Sequence, residues 1–151
     1  MASYASPFDM LMGLSGGGAS LQESGTSDEA INVGDVVSLL STGVNVGRVQ
    51  QATSTTAESR VVGIAMTAAG GSGVSVNFQS IGSVAVKFSA VPGASDNSSP
   101  VYLSGVAGQA ALTPPSAAGN DVIRLGFLTG GNGVTDTPSV TLNIATVITI
   151  T

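Results

Sequence analysis

Residues 60–88 read RVVGIAMTAAGGSGVSVNFQSIGSVAVKF, and this stretch decides the fold. It holds three short apolar runs, 61–66, 74–78 and 83–88, parted by an Ala/Gly/Ser break at 68–73 and by Gln79-Ser80-Ile81-Gly82. In the second run Val74, Val76 and Phe78 alternate with Ser75 and Asn77. In the third, Val84, Val86 and Phe88 alternate with Ala85 and Lys87, so the lysine faces outward. Apolar and polar residues alternating over a short run bounded by Gly and Ser mark a half-buried strand. The short connections predict a β-meander.

The flanking chain extends the same pattern. Residues 31–40 predict a first strand with Ile31, Val33, Val37 and Leu39 on one face, and 44–50 return after the Thr42-Gly43 turn. Asp35 follows Gly34 inside that strand; a bend, with the carboxylate capping local amides, accounts for it better than a catalytic or metal role. Pro, Gly, Asp and Asn make 90–100 a surface loop, and 101–103, 109–112 and 121–128 read as strands. Apolar residues on both faces of 121–128, Arg124 apart, predict a central strand. The run 139–151 is the longest strand, with Val140, Leu142, Ile144, Ile148 and Ile150 on one face, a face for the core or for contact between subunits. Strands average about 5–6 residues, so one of this length bends between sheets or projects beyond its subunit. The expected fold is all-β: a small antiparallel β-sandwich or barrel of about nine strands with an extended N-terminal arm. Its expected organisation is a flexible arm over 1–29 and a single domain over 30–151 ending in the long C-terminal strand.

Composition narrows the function. The 151 residues include no Cys and no His, which removes disulfides, thiolate nucleophiles, Cys-ligated zinc and any Ser–His–Asp triad. Only 9% of residues are charged, where ordinary domains have roughly 25%. The four basic residues, Arg48, Arg60, Lys87 and Arg124, are scattered, which argues against a phosphate-tracking nucleic-acid surface. No apolar run reaches the roughly 20 residues a membrane helix needs. No basic residue precedes Arg48, so no secretory signal is expected. The Gly clusters at 16–18, 70–73 and 130–133 lack the following Lys and Ser/Thr of a phosphate loop and read as turns. No calcium-loop spacing occurs among the carboxylates, and stacking aromatics for a sugar site are scarce. The expectation is no catalysis, no cofactor, no metal and no small-molecule substrate. So few charges predict surface buried against partners, together with an uncharged Ser/Thr/Asn/Gly surface.

The arm adds one feature. Phe8, Met10, Leu11, Met12 and Leu14 form an apolar patch ahead of the Gly16-Gly17-Gly18 break. It reads either as a frayed tail or as an apolar anchor on a flexible tether.

The order of pieces resembles a known family. Gly34-Asp35-Val36-Val37 is followed by Val61-Val62-Gly63-Ile64-Ala65, by Val74-x-Val76 with Ile81-Gly82-x-Val84, by Pro100-Val101-Tyr102-Leu103-Ser104 and by Ile123-Arg124-Leu125-Gly126-Phe127. Over about 30–130 this resembles the head decoration (capsid cement) proteins of tailed bacteriophages, through strand-and-turn patterns rather than chemical signatures. The resemblance implies a non-catalytic virion protein, a homotrimer on the outer capsid surface at or near three-fold and quasi-three-fold positions. It would bridge major capsid protein subunits and oppose the pressure of packaged DNA. On that reading Phe8, Met10, Leu11, Met12 and Leu14 are the candidate capsid contacts. A tail or spike subunit, or an extracellular adhesin or carbohydrate-binding module, is the alternative.

Overall fold

In a computed structural model the chain is described over residues 20–55 and 58–151. The fold is all-β. Among the described residues nine antiparallel strands follow in order: β1 (Leu21–Thr26), β2 (Val36–Leu39), β3 (Val49–Gln51), β4 (Val61–Ala65), β5 (Ser75–Ala85), β6 (Pro100–Leu103), β7 (Ala110–Ala111), β8 (Asp121–Leu128) and β9 (Ser139–Thr149). A single 3₁₀ turn over Ala94–Asp96 is the only helical element among the described residues.

Strand β5 joins the two halves of the molecule. Phe78 pairs with Glu23 of β1 on one side and with Ala65 of β4 on the other. Ile81 pairs with Leu21 of β1 and with Asn143 of β9. One edge of β5 therefore belongs to β1, while the other is divided between β4 at residues 78–79 and β9 at residues 81–85. On the N-terminal side the pairing runs β1-β5-β4-β2-β3 and returns to β1 through the Ser27–Val49 bridge. Asp28 N donates to Val49 O at 2.8 Å there. On the C-terminal side it runs β5-β9-β8-β6-β7 and returns through the Phe88–Ala110 bridge.

Each half encloses its own core. The smaller core packs Ile31, Val37, Val49, Ala65, Val76 and Phe78. The larger centres on Val86, Val101, Leu103, Leu125, Leu128 and Val140, and also takes Val36, Ala52 and Ile64 from the first half. Alternation in β2 and β4 explains the sharing: Val36 and Ile64 face one core, and their neighbours Val37 and Ala65 face the other. These two strands form the wall between the cores, so they read as continuous apolar runs.

Four expectations are corrected. The meander turn at 79–82 does not form; β5 runs through it as one strand of 11 residues. Gly82 takes φ +94 while still pairing with Leu142, and the Gln79 side chain donates to the carbonyls of Ile81 (2.8 Å) and Ser83 (3.1 Å). The Gly supplies a bend within the ladder rather than a reversal. Second, the arm expected over 1–29 contains β1, which pairs with β5 from Thr26 to Leu21. Third, the expected first strand breaks: Ile31 bridges Ala69, residues 32–35 turn, and Val33 is exposed. Fourth, β3 starts only at Val49, because 44–47 form an exposed turn.

Candidate functional site

The division of one β5 edge between two strands creates a concavity among the described residues. β4 and β9 both run antiparallel to β5, and they separate where one stops pairing and the other starts. The resulting groove has a volume of about 510 Å³ and is lined by Val61 and Val62, Ser80 and Ile81, and Leu142, Asn143 and Ile144. None of these residues is ionisable, and Ile81 is 46% exposed.

Strand β9 runs on past the groove. Its pairing with β5 ends at Asn143, and from there to Thr149 it bonds to β8 alone among the described strands. The backbone edge turned away from β8 thus has no strand partner there. Val147 and Ile148 are each 57% exposed on this segment. An apolar strand with an open edge beside an apolar groove can accept an extended peptide, whose backbone completes the ladder and whose side chains fill the groove.

The expected single face of Val140, Leu142, Ile144, Ile148 and Ile150 does not hold together. Val140 and Leu142 are buried in the larger core, Ile144 packs partly against it and lines the groove, Ile150 is half-buried, and Ile148 is exposed. The pairings Val122–Ile148 and Ile123–Thr146 skip one residue of β9, and Arg124–Ala145 and Gly126–Leu142 skip another. These two bulges interrupt the period-two face, and residues 146–149 lie beyond the core on both faces. Phe8, Met10, Leu11, Met12 and Leu14 lie outside the described residues.

The carboxylates hold the fold. Asp35 accepts from Asn32 N at 2.8 Å and Gln51 Nε2 at 2.7 Å, which is the local capping that the Gly34-Asp35 bend predicts. Asp28 accepts from Asn45 Nδ2, Glu29 from Gln51 N, and Asp96 from Gly93 N. Buried Asp121 accepts from the hydroxyls of Ser59 and Thr149, and these two bonds hold its carboxyl below the usual carboxylate range against the opposing effect of burial. Among the described residues no cluster of three His, Cys, Asp or Glu is arranged to hold a metal ion. No described helix is long and apolar enough to cross a membrane. Arg124 places its guanidinium 5.4 Å from the Phe127 ring, while its buried Nε lacks a hydrogen-bond partner.

A second apolar exposure caps the β2–β3 turn. Val44 is fully exposed and Val46 is 61% exposed, while Asn45 between them is anchored to Asp28. No protein-family model matches the chain, and neither curated proteins nor solved structures give a match.

Proposed function

We propose that this protein is a structural virion component that binds the outer surface of a tailed-phage capsid and cements the mature head. The observation that carries the reading is the combination of two tightly closed cores with apolar residues left on the surface, at the β2–β3 turn and along the end of β9. Exposed apolar groups on an otherwise well-packed domain mark contact surfaces. The low charge supports the same reading, because a patch that is to be covered by a partner carries little desolvation cost when it holds few ions. The resemblance of strand order and turn pattern to decoration proteins supplies the partner: subunits of the major capsid protein, bridged by a homotrimer.

The chemistry is adhesion rather than catalysis. A trimer engages three sites at once, and after the first contact the other two form at high effective concentration. Modest apolar contacts therefore add to firm attachment. The apolar residues of the 8–14 segment, Phe8, Met10, Leu11, Met12 and Leu14, are the proposed shell contact, carried on the Gly-rich tether.

Co-sedimentation of the purified protein with expanded and unexpanded heads tests the reading. Saturable binding to expanded heads, at a stoichiometry matching local three-fold positions, is the expected outcome. Absence of binding to either form overturns it.

A further inference from the structure

We infer that the open edge of β9 is a docking site for an extended, acidic segment of a protein partner, held by backbone pairing along residues 144–149 and by a carboxylate on Arg124. This goes beyond the shell-binding reading and does not depend on it.

Two independent observations converge. The first is the edge. From residue 144 to 149 β9 bonds to β8 alone among the described strands, and Val147 and Ile148 are each 57% exposed there. Apart from its two bulges, this run lacks the charges and prolines that keep edge strands single. Its β-branched residues, at five of the six positions, favour a further strand.

The second observation is Arg124. Directly paired residues of adjacent strands share a face, so Tyr102, Arg124 and Ala145 form a row that crosses β6, β8 and β9 and ends at the open edge. Arg124 is half-buried, with its Nε enclosed and its guanidinium 5.4 Å from the Phe127 ring. Among the described residues that guanidinium has no hydrogen-bond or ion-pair partner. A partly desolvated charge without a counter-ion is unfavourable, and a carboxylate arriving beside it offsets the penalty. Between Arg124 and the edge the row holds only Ala145, which is small. A strand added beyond β9 lies two strand spacings, about 10 Å, from β8. A glutamate on that strand, opposite Ala145, reaches Arg124 over the alanine.

These two features select one class of occupant. A basic segment is repelled by Arg124, and a neutral one leaves it unmatched. An extended segment with one acidic residue among uncharged, β-branched neighbours satisfies both the ladder and the arginine. Backbone pairing supplies the affinity. The ion pair fixes the register, because a slip of one residue turns the glutamate to the opposite face.

The probe is a fluorescent synthetic peptide of alternating threonine and valine with one central glutamate, compared with the same peptide carrying glutamine there. Titrated into the full-length protein and followed by anisotropy, the glutamate peptide is expected to bind about fivefold more tightly, the upper end for a partly exposed ion pair. In the Arg124→Gln protein the two peptides are expected to bind equally. In the ¹⁵N-labelled protein the bound peptide is expected to shift the amide signals of residues 144–149 and to slow their exchange with solvent. Failure of both peptides to bind, equal binding of the two by the unaltered protein, or a preference that survives Arg124→Gln overturns the proposal. Shifts confined to residues away from 144–149 also overturn it, by assigning the peptide to another surface. The comparison of the two peptides on the unaltered protein decides the matter even where Arg124→Gln does not fold.

Discussion

The Thr149 hydroxyl donates to Asp121 Oδ1 at 2.6 Å and ties the end of β9 to the start of β8. Ser59 donates to the other carboxylate oxygen, and Asp121 N donates to Ser54 O at 2.7 Å, so one residue ties Ser54 and Ser59 to both long strands. Both hydroxyls bond the charged form, which lowers the folded-state pKa. Because the folded value lies below the unfolded one, the stabilisation is fully present above the unfolded value of about 3.9 and is lost as pH falls through the folded value. Asp121→Ala is expected to cost about 1.5–3 kcal/mol at neutral pH, the range for hydrogen bonds to a charged group. Urea melts of both proteins at neutral pH and at a pH below the ordinary carboxylate value check this. The gap between them is expected to narrow in acid, and an unchanged gap would contradict the assignment.

Gly126 of β8 pairs with Leu142 of β9. A Cβ there would overlap the Thr141 carbonyl oxygen, a backbone atom that cannot move aside without breaking the ladder. Gly126→Ala is expected to destabilise by about 1–3 kcal/mol, as overpacking does. Gly70, whose Cβ would meet nothing within 4 Å, supplies the control: Gly70→Ala is expected to stay within about 0.5 kcal/mol of the parent. Thermal melts of the two variants decide it.

Ile64 is fully buried, on the wall between the cores, and faces the larger one. Ile64→Ala is expected to cost about 2–5 kcal/mol through lost burial and the cavity left behind. Its neighbour Ala65 faces the smaller core, so Ala65→Leu is expected to destabilise by overpacking, about 1–3 kcal/mol. Denaturant titration of both variants tests whether the two strands are closed in on both faces; a neutral Ala65→Leu would mean an open second face.

Truncation separates the arm from the domain. Removing residues 1–19 is expected to leave the melting temperature near that of the full chain. Removing 1–29 takes away β1 and Ser27, whose Oγ donates to Gly71 O at 2.6 Å and which closes the first ring at Val49. That shorter chain is expected to lose cooperative folding. Circular dichroism during heating reads both, and equal melts for the two truncations would refute the role given to β1.

The strands that bury apolar residues were legible in the sequence; those that do not were hidden. Residues 121–128 and 139–149 form strands as their pattern predicts, because each carries Val, Ile or Leu at core-facing positions. Gln22, Glu23, Ser24 and Thr26 of β1 give no apolar alternation, since the strand is largely exposed and is held by its ladder to β5. Gly82 reads as a turn because local sequence cannot distinguish a bend within a ladder from a reversal. The groove was not visible for a different reason. It arises from β4 and β9 sharing one edge of β5, a long-range pairing that joins residues 61–62 to 142–144. The bulges in β9 likewise depend on its register with β8 rather than on any residue type that marks them.

A cementing protein raises the heat stability of the particle, and the release of packaged DNA on heating measures that stability. DNA-filled heads lacking this protein would be heated with increasing amounts of the purified chain, with release followed by a DNA-binding dye. The expected result is a rise in release temperature that saturates at the stoichiometry of binding. An unchanged release temperature on fully occupied heads, or on heads that take up none of the protein, would contradict the cementing function.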